Sequence, residues 1–362
     1  MSKPCVMIMA GGTGGHVFPA LSLAGALRSR DIEVVWLGTR AGIEARLVPA
    51  AGIDVEWIDI GGLRGKNITT LISAPLRLAR ALWQALSAMR RHRPRVVVGL
   101  GGYVTGPGGL AAWLARRPLV IHEQNAIAGF TNRILARLAT QVLEAFAGSF
   151  GPGVKASAVG NPVRNEFFNL PAPAARYSLR QGPLRVLVVG GSQGAQRLNA
   201  VVPEAVALLI RKADVQVRHQ TGTRMLESTR EAYASRGVNA EVSAFIDDIA
   251  SAYADADLVI CRAGALTVSE LAAAGVAAIL VPFPAAVDDH QTRNARFLVE
   301  HDAGVLLPER ELTPQRLASE LERLIADRSV LVRMAERARN LARPDATDAL
   351  LGACLMAGGL AA

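Results

Sequence analysis

Runs of β-branched and other apolar residues alternate along the chain with segments of helical spacing. Val6–Met9, Glu33–Leu37, Val55–Ile60, Val96–Leu100 and Leu119–His122 are predicted as strands, with a weaker run near Gln141. Ala156–Asn165 carries GNPVR and Leu170–Pro183 holds three prolines among polar residues, which reads as a connection between domains. The pattern then restarts. LRVLVVGGSQGAQRLNA (184–200) repeats the opening design of CVMIMAGGTGGHVFPALSLA: an apolar strand, paired glycines, a short polar turn and a helix. Further strands are expected at Val215–His219, Ala240–Phe245, Leu258–Cys261 and Ala277–Val281, and a short amphipathic helix at Pro344–Met356 capped by Asp345 or Thr347. Alternating strands and helices predict parallel sheets of βαβ units. The repeat predicts an α/β chain of two Rossmann-like domains facing each other across a cleft, a size that 362 residues allow.

One helical segment carries a wider apolar face than the rest. In LISAPLRLARALWQALSAMRRHRPR (71–95), Leu71, Leu78, Leu82 and Met89 share one direction, and Ile72, Leu76 and Trp83 lie roughly 100–140° round from it. The margin Ile72–Leu76–Trp83, followed by Arg90, Arg91, Arg93 and Arg95, suits an anionic membrane leaflet, and Trp113 before Arg116 and Arg117 suits the same patch. A buried helix with solvated arginines is the alternative.

The opening glycines invite a dinucleotide reading, which fails. Gly12-Thr13-Gly14 begins a G-x-G-x-x-G fingerprint, but the third glycine position is Val17 and the second strand ends Leu37-Gly38-Thr39-Arg40 without a carboxylate. The second unit runs into His219-Gln220-Thr221-Gly222 and fails likewise, and no P-loop lysine follows either turn. What remains is two turns whose glycines let backbone approach an anion beside a helix start.

Three further constellations follow strand ends. CRAGALTVSELAAAG (261–275) passes through Ala263-Gly264 into a helix expected near Leu266, with Thr267 and Ser269 in its first turn and Glu270 beside them. Hydroxyls and N–H groups there suit a phosphate and a carboxylate suits a ribose diol, whereas Thr267-x-x-Glu270 also has the form of a capping box. VIHEQNAIAGFTNR (120–133) presents His122, Glu123, Gln124 and Asn125 in a row, of which at least one is expected to serve a ligand. Asp288, Asp289 and His290 lack a second acidic cluster to complete a hard-cation cage, so no metal is expected, and Gln291 and Asn294 are the better ligand contacts.

Composition narrows the partners. Forty basic against 31 acidic residues leave a net charge of +9, which calls for an anionic partner. Aromatics make up 5% and do not alternate with basic residues, so nucleic acid is not expected. The cysteines Cys5, Cys261 and Cys354 are far apart in apolar runs, which reads as reduced thiols of a cytoplasmic protein. No signal peptide opens the chain and no stretch reaches the ~20 apolar residues that span a bilayer, so a soluble or peripheral protein is expected.

AGGTGGHVFPALSLA, LGGYVTGPGGLAA, HEQNAIAGFTN, VGNPVR, VVGGSQGAQRLN, HQTG, AFIDDIA and CRAGALTVSELAAAG together closely resemble the MurG family, in unbroken order to about residue 300. The family comprises peripheral membrane glycosyltransferases that add N-acetylglucosamine (GlcNAc) from UDP-GlcNAc to lipid I, making lipid II for peptidoglycan. The resemblance implies a GT-B fold and no cofactor. It implies an acceptor- and membrane-facing domain over 1–162, a UDP-GlcNAc-binding domain over 163–340, and a final helix over 341–362 that packs back on the first domain. It implies a place on the cytoplasmic face of the inner membrane, beside other cell-wall and division proteins. Positions matching the family's substrate contacts are Thr13, Gly14, Gly15, Asn125, Arg164, Ser192, Ile246, Ala265, Leu266, Thr267, Val268, Ser269, Glu270 and Gln291. Glu270 would hold the ribose hydroxyls, Ser192 and the Leu266–Thr267 helix start the diphosphate, and the Ile246 backbone the uracil. VDDHQ is more acidic than usual in the family, which makes Gln291 the weakest of these.

Inverting transfer needs a base for the acceptor 4-hydroxyl and stabilisation of the departing diphosphate. His16 at the first turn is the expected base, Glu123 the runner-up, and helix starts with Arg164 serve the leaving group. A UDP-GlcNAc 2-epimerase of the same fold is the alternative enzyme, though it deploys several carboxylates that this sequence does not offer. A non-catalytic nucleotide-sugar-binding subunit is the alternative outside catalysis.

Overall fold

β1 (Cys5–Ala10) is apolar throughout and buried at every position, as a central strand of a parallel sheet must be. Its side chains alternate: Val6, Ile8 and Ala10 enter one core layer, and Cys5, Met7 and Met9 the other. In this computed structural model, which describes residues 3–61, 74–178, 180, 182–191, 195–209 and 214–360, β1 anchors the first of two sheets. With β2 (Glu33–Gly38), β3 (Asp54–Trp57), β4 (Val96–Gly101), β5 (Leu119–Glu123), β6 (Gln141–Glu144) and β7 (Ser157–Ala158), the order is β3-β2-β1-β4-β5-β6-β7, all parallel. The second sheet comprises β8 (Leu184–Val189), β9 (Val215–Gln220), β10 (Ala240–Ser243), β11 (Leu258–Cys261), β12 (Ala277–Leu280) and β13 (Val305–Leu306). Its order, β10-β9-β8-β11-β12-β13, is again all parallel and repeats that of the first sheet. Both are doubly wound sheets, and the predicted pair of Rossmann-like units is what the chain forms. In each the strand order reverses beside the first strand, where such sheets bind ligands at the carboxyl ends.

Met1–Val163 with Arg343–Ala362 form one compact unit, and Arg164–Ala342 the other. In the first, helix Gly14–Arg28 contributes Val17, Leu23 and Leu27 to one layer, which helix Ala346–Ala357 completes with Leu350, Leu351 and Cys354. Asp345 precedes that last helix as its cap residue, but its side chain makes no capping bond. Trp36 is wholly buried and donates its indole N–H to Ala10 O at 2.8 Å, so its one polar atom is satisfied. In the second unit, Leu198, Val202 and Leu209 of helix Gln196–Leu209 pack on Val186, Val188 and Ile260, and helix Pro314–Ala326 adds Leu317, Leu321 and Leu324.

Helix Ala74–His92 differs from expectation. It buries Ala81, Ala85, Ala88 and Met89 against helix Thr105–Leu114, while Leu78, which shares the direction of Met89 in the sequence pattern, is exposed. Leu76 is 76% exposed and Trp83 67%, two turns apart on the face opposite the alanines, and Trp113 is also exposed. Arg91 of the predicted cationic strip pairs with Glu56, and Arg80, on the same helix, with Asp59. Ile72 lies outside the described residues. Among the described residues no helix is long and apolar enough to cross a membrane.

Candidate functional site

In the first unit the glycine turn leads into helix Gly14–Arg28, with Thr13 as its N-cap residue and Gly14, Gly15 and His16 in its first turn. No side chain caps this start. The amide N–H of Gly12 does not wait for a ligand: it donates to Glu44 Oε2 at 2.9 Å. Glu44 is fully buried, and its other oxygen accepts from the Thr39 N–H at 3.1 Å and hydroxyl at 2.8 Å. The missing strand-end carboxylate thus exists five residues beyond Thr39, turned inward to hold the turn rather than outward toward a ribose. Sequence reading missed it because it looked only at the strand end.

His16 lies against β4. Gly101 ends that strand and Gly102 follows it, at φ +107° and +87°, and a methyl group on Gly101 would come within 2.5 Å of His16 Nδ1. One on Gly102 would strike the carbonyl oxygen of Gly11. The same Nδ1 lies 2.9 Å from Gln124 Oε1. Gln124 Nε2 lies 3.0 Å from His122 Nδ1 and donates to His122 O at 3.1 Å, while His122 Nε2 lies 2.8 Å from Gly160 O in the GNPVR segment. His122 is fully buried, and burial pushes its pKa below the ordinary histidine value.

Glu123 is differently committed. Its Oε1 accepts from the N–H of Asn125 at 3.0 Å and its Nδ2 at 3.1 Å, and its Oε2 from Gly129 N at 3.1 Å and Asn132 Nδ2 at 2.9 Å. Four donors on a buried carboxylate shape the 123–132 loop and draw both Glu123 and Asn125 into it. Of the four polar residues in a row, three side chains therefore serve His16 or the loop.

In the second unit, β11 ends at Cys261 and helix Ala265–Ala274 begins after Gly264. Gly264 carries no capping side chain, so the first-turn N–H groups of Ala265, Leu266 and Thr267 stand at an uncapped positive end. The predicted capping box of Thr267 with Glu270 does not form: a capping threonine must be the residue before the helix, and Thr267 is already its third. Ser269 lies beyond the first turn and donates its hydroxyl back to Ala265 O at 3.0 Å. Val268 is buried in the core. Glu270 is half-buried, and loss of water raises its carboxyl to about 7, with Arg164 acting to lower it and Glu166 to raise it. Arg164 pairs with Glu166 at 2.8 Å and stacks over Phe167.

Gln291 and Asn294 brace this helix start. Gln291 Oε1 accepts from Ala263 N at 3.2 Å and Phe283 N at 2.9 Å, tying the ends of β11 and β12 together, and Asn294 Nδ2 donates to Ala263 O at 3.1 Å. Ile246 is buried between β10 and helix Ile249–Asp255, where Asp248 caps Ser251. The far end of helix Ala265–Ala274 is held by two arginines that sequence reading did not single out. Arg176 donates to Ala274 O at 2.7 Å and to Gly275 O, and Arg339 to Ala273 O. Cations thus sit at the negative end of the same helix whose positive end is left open. Ser192 lies outside the described residues.

Comparisons with known proteins agree with this arrangement. The chain matches the glycosyltransferase family 28 N-terminal domain over residues 6–144 and the family's C-terminal domain over 185–350. Among its relatives is a protein of Nitrosococcus oceani, 58% identical over 97% of this chain and 98% of its own length. Another, of Alkalilimnicola ehrlichii, is 57% identical over 98% and 99%. Both are named UDP-N-acetylglucosamine–N-acetylmuramyl-(pentapeptide) pyrophosphoryl-undecaprenol N-acetylglucosamine transferase. The crystal structure of Acinetobacter baumannii MurG is 41% identical, covers 98% of this chain and 99% of its own, and superposes with a TM-score of 0.86. A putative UDP-N-acetylglucosamine 2-epimerase of Listeria monocytogenes, 14% identical over 98% of this chain and 96% of its own with a TM-score of 0.67, shares the fold alone. Matched along both domains and nearly identical in extent to these relatives, the chain belongs to glycosyltransferase family 28 and, within it, to the MurG family.

Proposed function

We propose that the chain moves GlcNAc from UDP-GlcNAc to the 4-hydroxyl of the N-acetylmuramyl unit of lipid I, giving lipid II and UDP. The carrying observation is the near-full-length identity to transferases of that name. The epimerase alternative is not favoured, since its representative is similar in fold only.

The geometry supports a division of roles. His16 is the general base for the acceptor hydroxyl, because its ring is held at the glycine turn by Gln124 and Gly101. Glu123 is a loop-holding residue, since both of its oxygens accept hydrogen bonds from donors within 125–132. The open start of helix Ala265–Ala274, with Arg164, takes the charge that builds on the departing diphosphate. Glu270 accepts the uridine ribose hydroxyls, Ile246 presents backbone to uracil, and Gln291 acts through the Ala263 peptide it supports. Thr13, Gly14 and Gly15 approach substrate through backbone.

Leu76, Trp83 and Trp113 form a membrane-facing patch that seats the chain peripherally on an anionic cytoplasmic leaflet, with neighbouring arginines adding attraction. The deciding experiment offers the purified chain labelled UDP-GlcNAc with and without a lipid I analogue. Transfer of label to the lipid supports the reading, and release of UDP-N-acetylmannosamine without acceptor overturns it in favour of epimerisation.

A further inference from the structure

Two backbone carbonyls determine where the proton of His16 sits. A carbonyl oxygen only accepts, so His122 Nε2, at 2.8 Å from Gly160 O, carries a hydrogen. The second carbonyl, His122 O, lies 3.1 Å from one end of the Gln124 side-chain amide, which must therefore be its NH2. That NH2 spends its other hydrogen on His122 Nδ1 at 3.0 Å, which can accept only if His122 is neutral, as its full burial also favours. Reversing the Gln124 amide would set oxygen against oxygen at His122 O and demand a buried imidazolium. The far end of Gln124 is thus its oxygen, 2.9 Å from His16 Nδ1. An oxygen that only accepts requires a hydrogen on that nitrogen.

We propose that Gln124 and His122 are positioning residues that fix His16 in its Nδ1–H tautomer, leaving the lone pair on Nε2 before any substrate arrives. The chain Gly160 O, His122, Gln124, His16 has a single consistent pattern of donors. Gly101 reinforces it, because the ring edge carrying Nδ1 and Cε1 rests where a methyl group would lie within 2.5 and 2.7 Å. A flipped ring would set a C–H against Gln124 Oε1 and lose the bond. A base in the other tautomer would meet the acceptor hydroxyl with an N–H and could take no proton from it.

The inference rests on His16 serving as base, but its test needs no substrate, so the two readings fail separately. The full chain, labelled with 15N-histidine, is examined by long-range 1H–15N correlation, raising pH until the ring signals stop moving. A His16→Ala sample identifies the His16 signals among the six histidines. The expected spectrum shows a pyridine-like nitrogen coupled strongly to both ring protons, which is Nε2, and a pyrrole-like Nδ1. A pyrrole-like Nε2 in the unaltered protein overturns the proposal. Gln124→Met then removes donor and acceptor together: the Nε2–H form appears and kcat falls roughly two- to tenfold, the population shift that one net hydrogen bond can hold, with the donor KM little changed. A Gln124→Met protein that melts like the parent and keeps both the Nδ1–H spectrum and the parent kcat also overturns it. Should that variant not fold, the spectrum of the unaltered protein still decides.

Discussion

In the first unit, the Gly12 N–H that a glycine turn would offer to an anion is already bound to Glu44, and the ring that follows it is bound to Gln124. In the second unit, helix Ala265–Ala274 begins without a side-chain cap, and its opposite end is fixed by Arg176 and Arg339. The same strand order thus carries two different local arrangements. The first is satisfied from within; the second is a helix start without a side-chain cap, an end that favours negative charge. A glycine turn therefore says little about whether it binds a phosphate until its internal acceptors are counted.

The sharpest way to break this division is at His16. His16→Ala should lower kcat by ~10²–10⁴ with little change in the donor KM, measured by label transfer to a lipid I analogue. A loss spread equally over donor binding would reassign the residue to the substrate side. Next in size, Glu270→Gln should raise the UDP-GlcNAc KM by roughly 10- to 100-fold, the worth of a charged hydrogen-bond acceptor, with kcat nearly kept. Because the Glu270 carboxyl titrates near 7, the parent's donor KM should itself rise as pH falls through about 7, and the variant's should not. Stability should move the opposite way. A folded-state pKa raised from 4.5 to about 7 disfavours the native state as pH rises, so Glu270→Gln should melt higher than the parent at alkaline pH, the gap closing toward 4.5.

Smaller again, Glu44→Gln places an N–H where the turn needs an acceptor and should destabilise the first unit by about 1–3 kcal/mol, read as faster amide exchange around Met7–Thr13. Unchanged exchange would mean that the turn holds itself. The smallest effect is expected at Trp83→Ser, which should weaken binding to anionic liposomes by about tenfold, as loss of one partly inserted aromatic implies, while transfer in detergent persists.

Much of the fold is legible in the sequence, for identifiable physical reasons. Strands such as Cys5–Ala10 and Leu258–Cys261 are apolar at every position because both faces are covered, and such runs stand out. Ser157–Ala158 and Val305–Leu306 are two residues each, too short to carry a period. In helix Ala74–His92 Met89 is buried and the Leu76–Trp83 margin exposed as the pattern suggests, but periodicity weights leucines, whereas alanines make most of the contact. The capping box failed because its pattern does not say which residue starts the helix. Glu123 and Gln124 looked alike as polar residues after a strand. Only distance separates one that holds a loop from one that holds a ring.

Glu44 has a consequence for engineering. Its carboxylate occupies the space where a side chain on Gly11 or Gly42 would have to go, and Gly102 closes over Gly11 from the other side. The turn is therefore not a portable heptapeptide. Grafted into another scaffold without the carboxylate and these distant glycines, AGGTGGH would lose its shape; carried with them, it should transfer as a module of three dispersed segments that succeed or fail together.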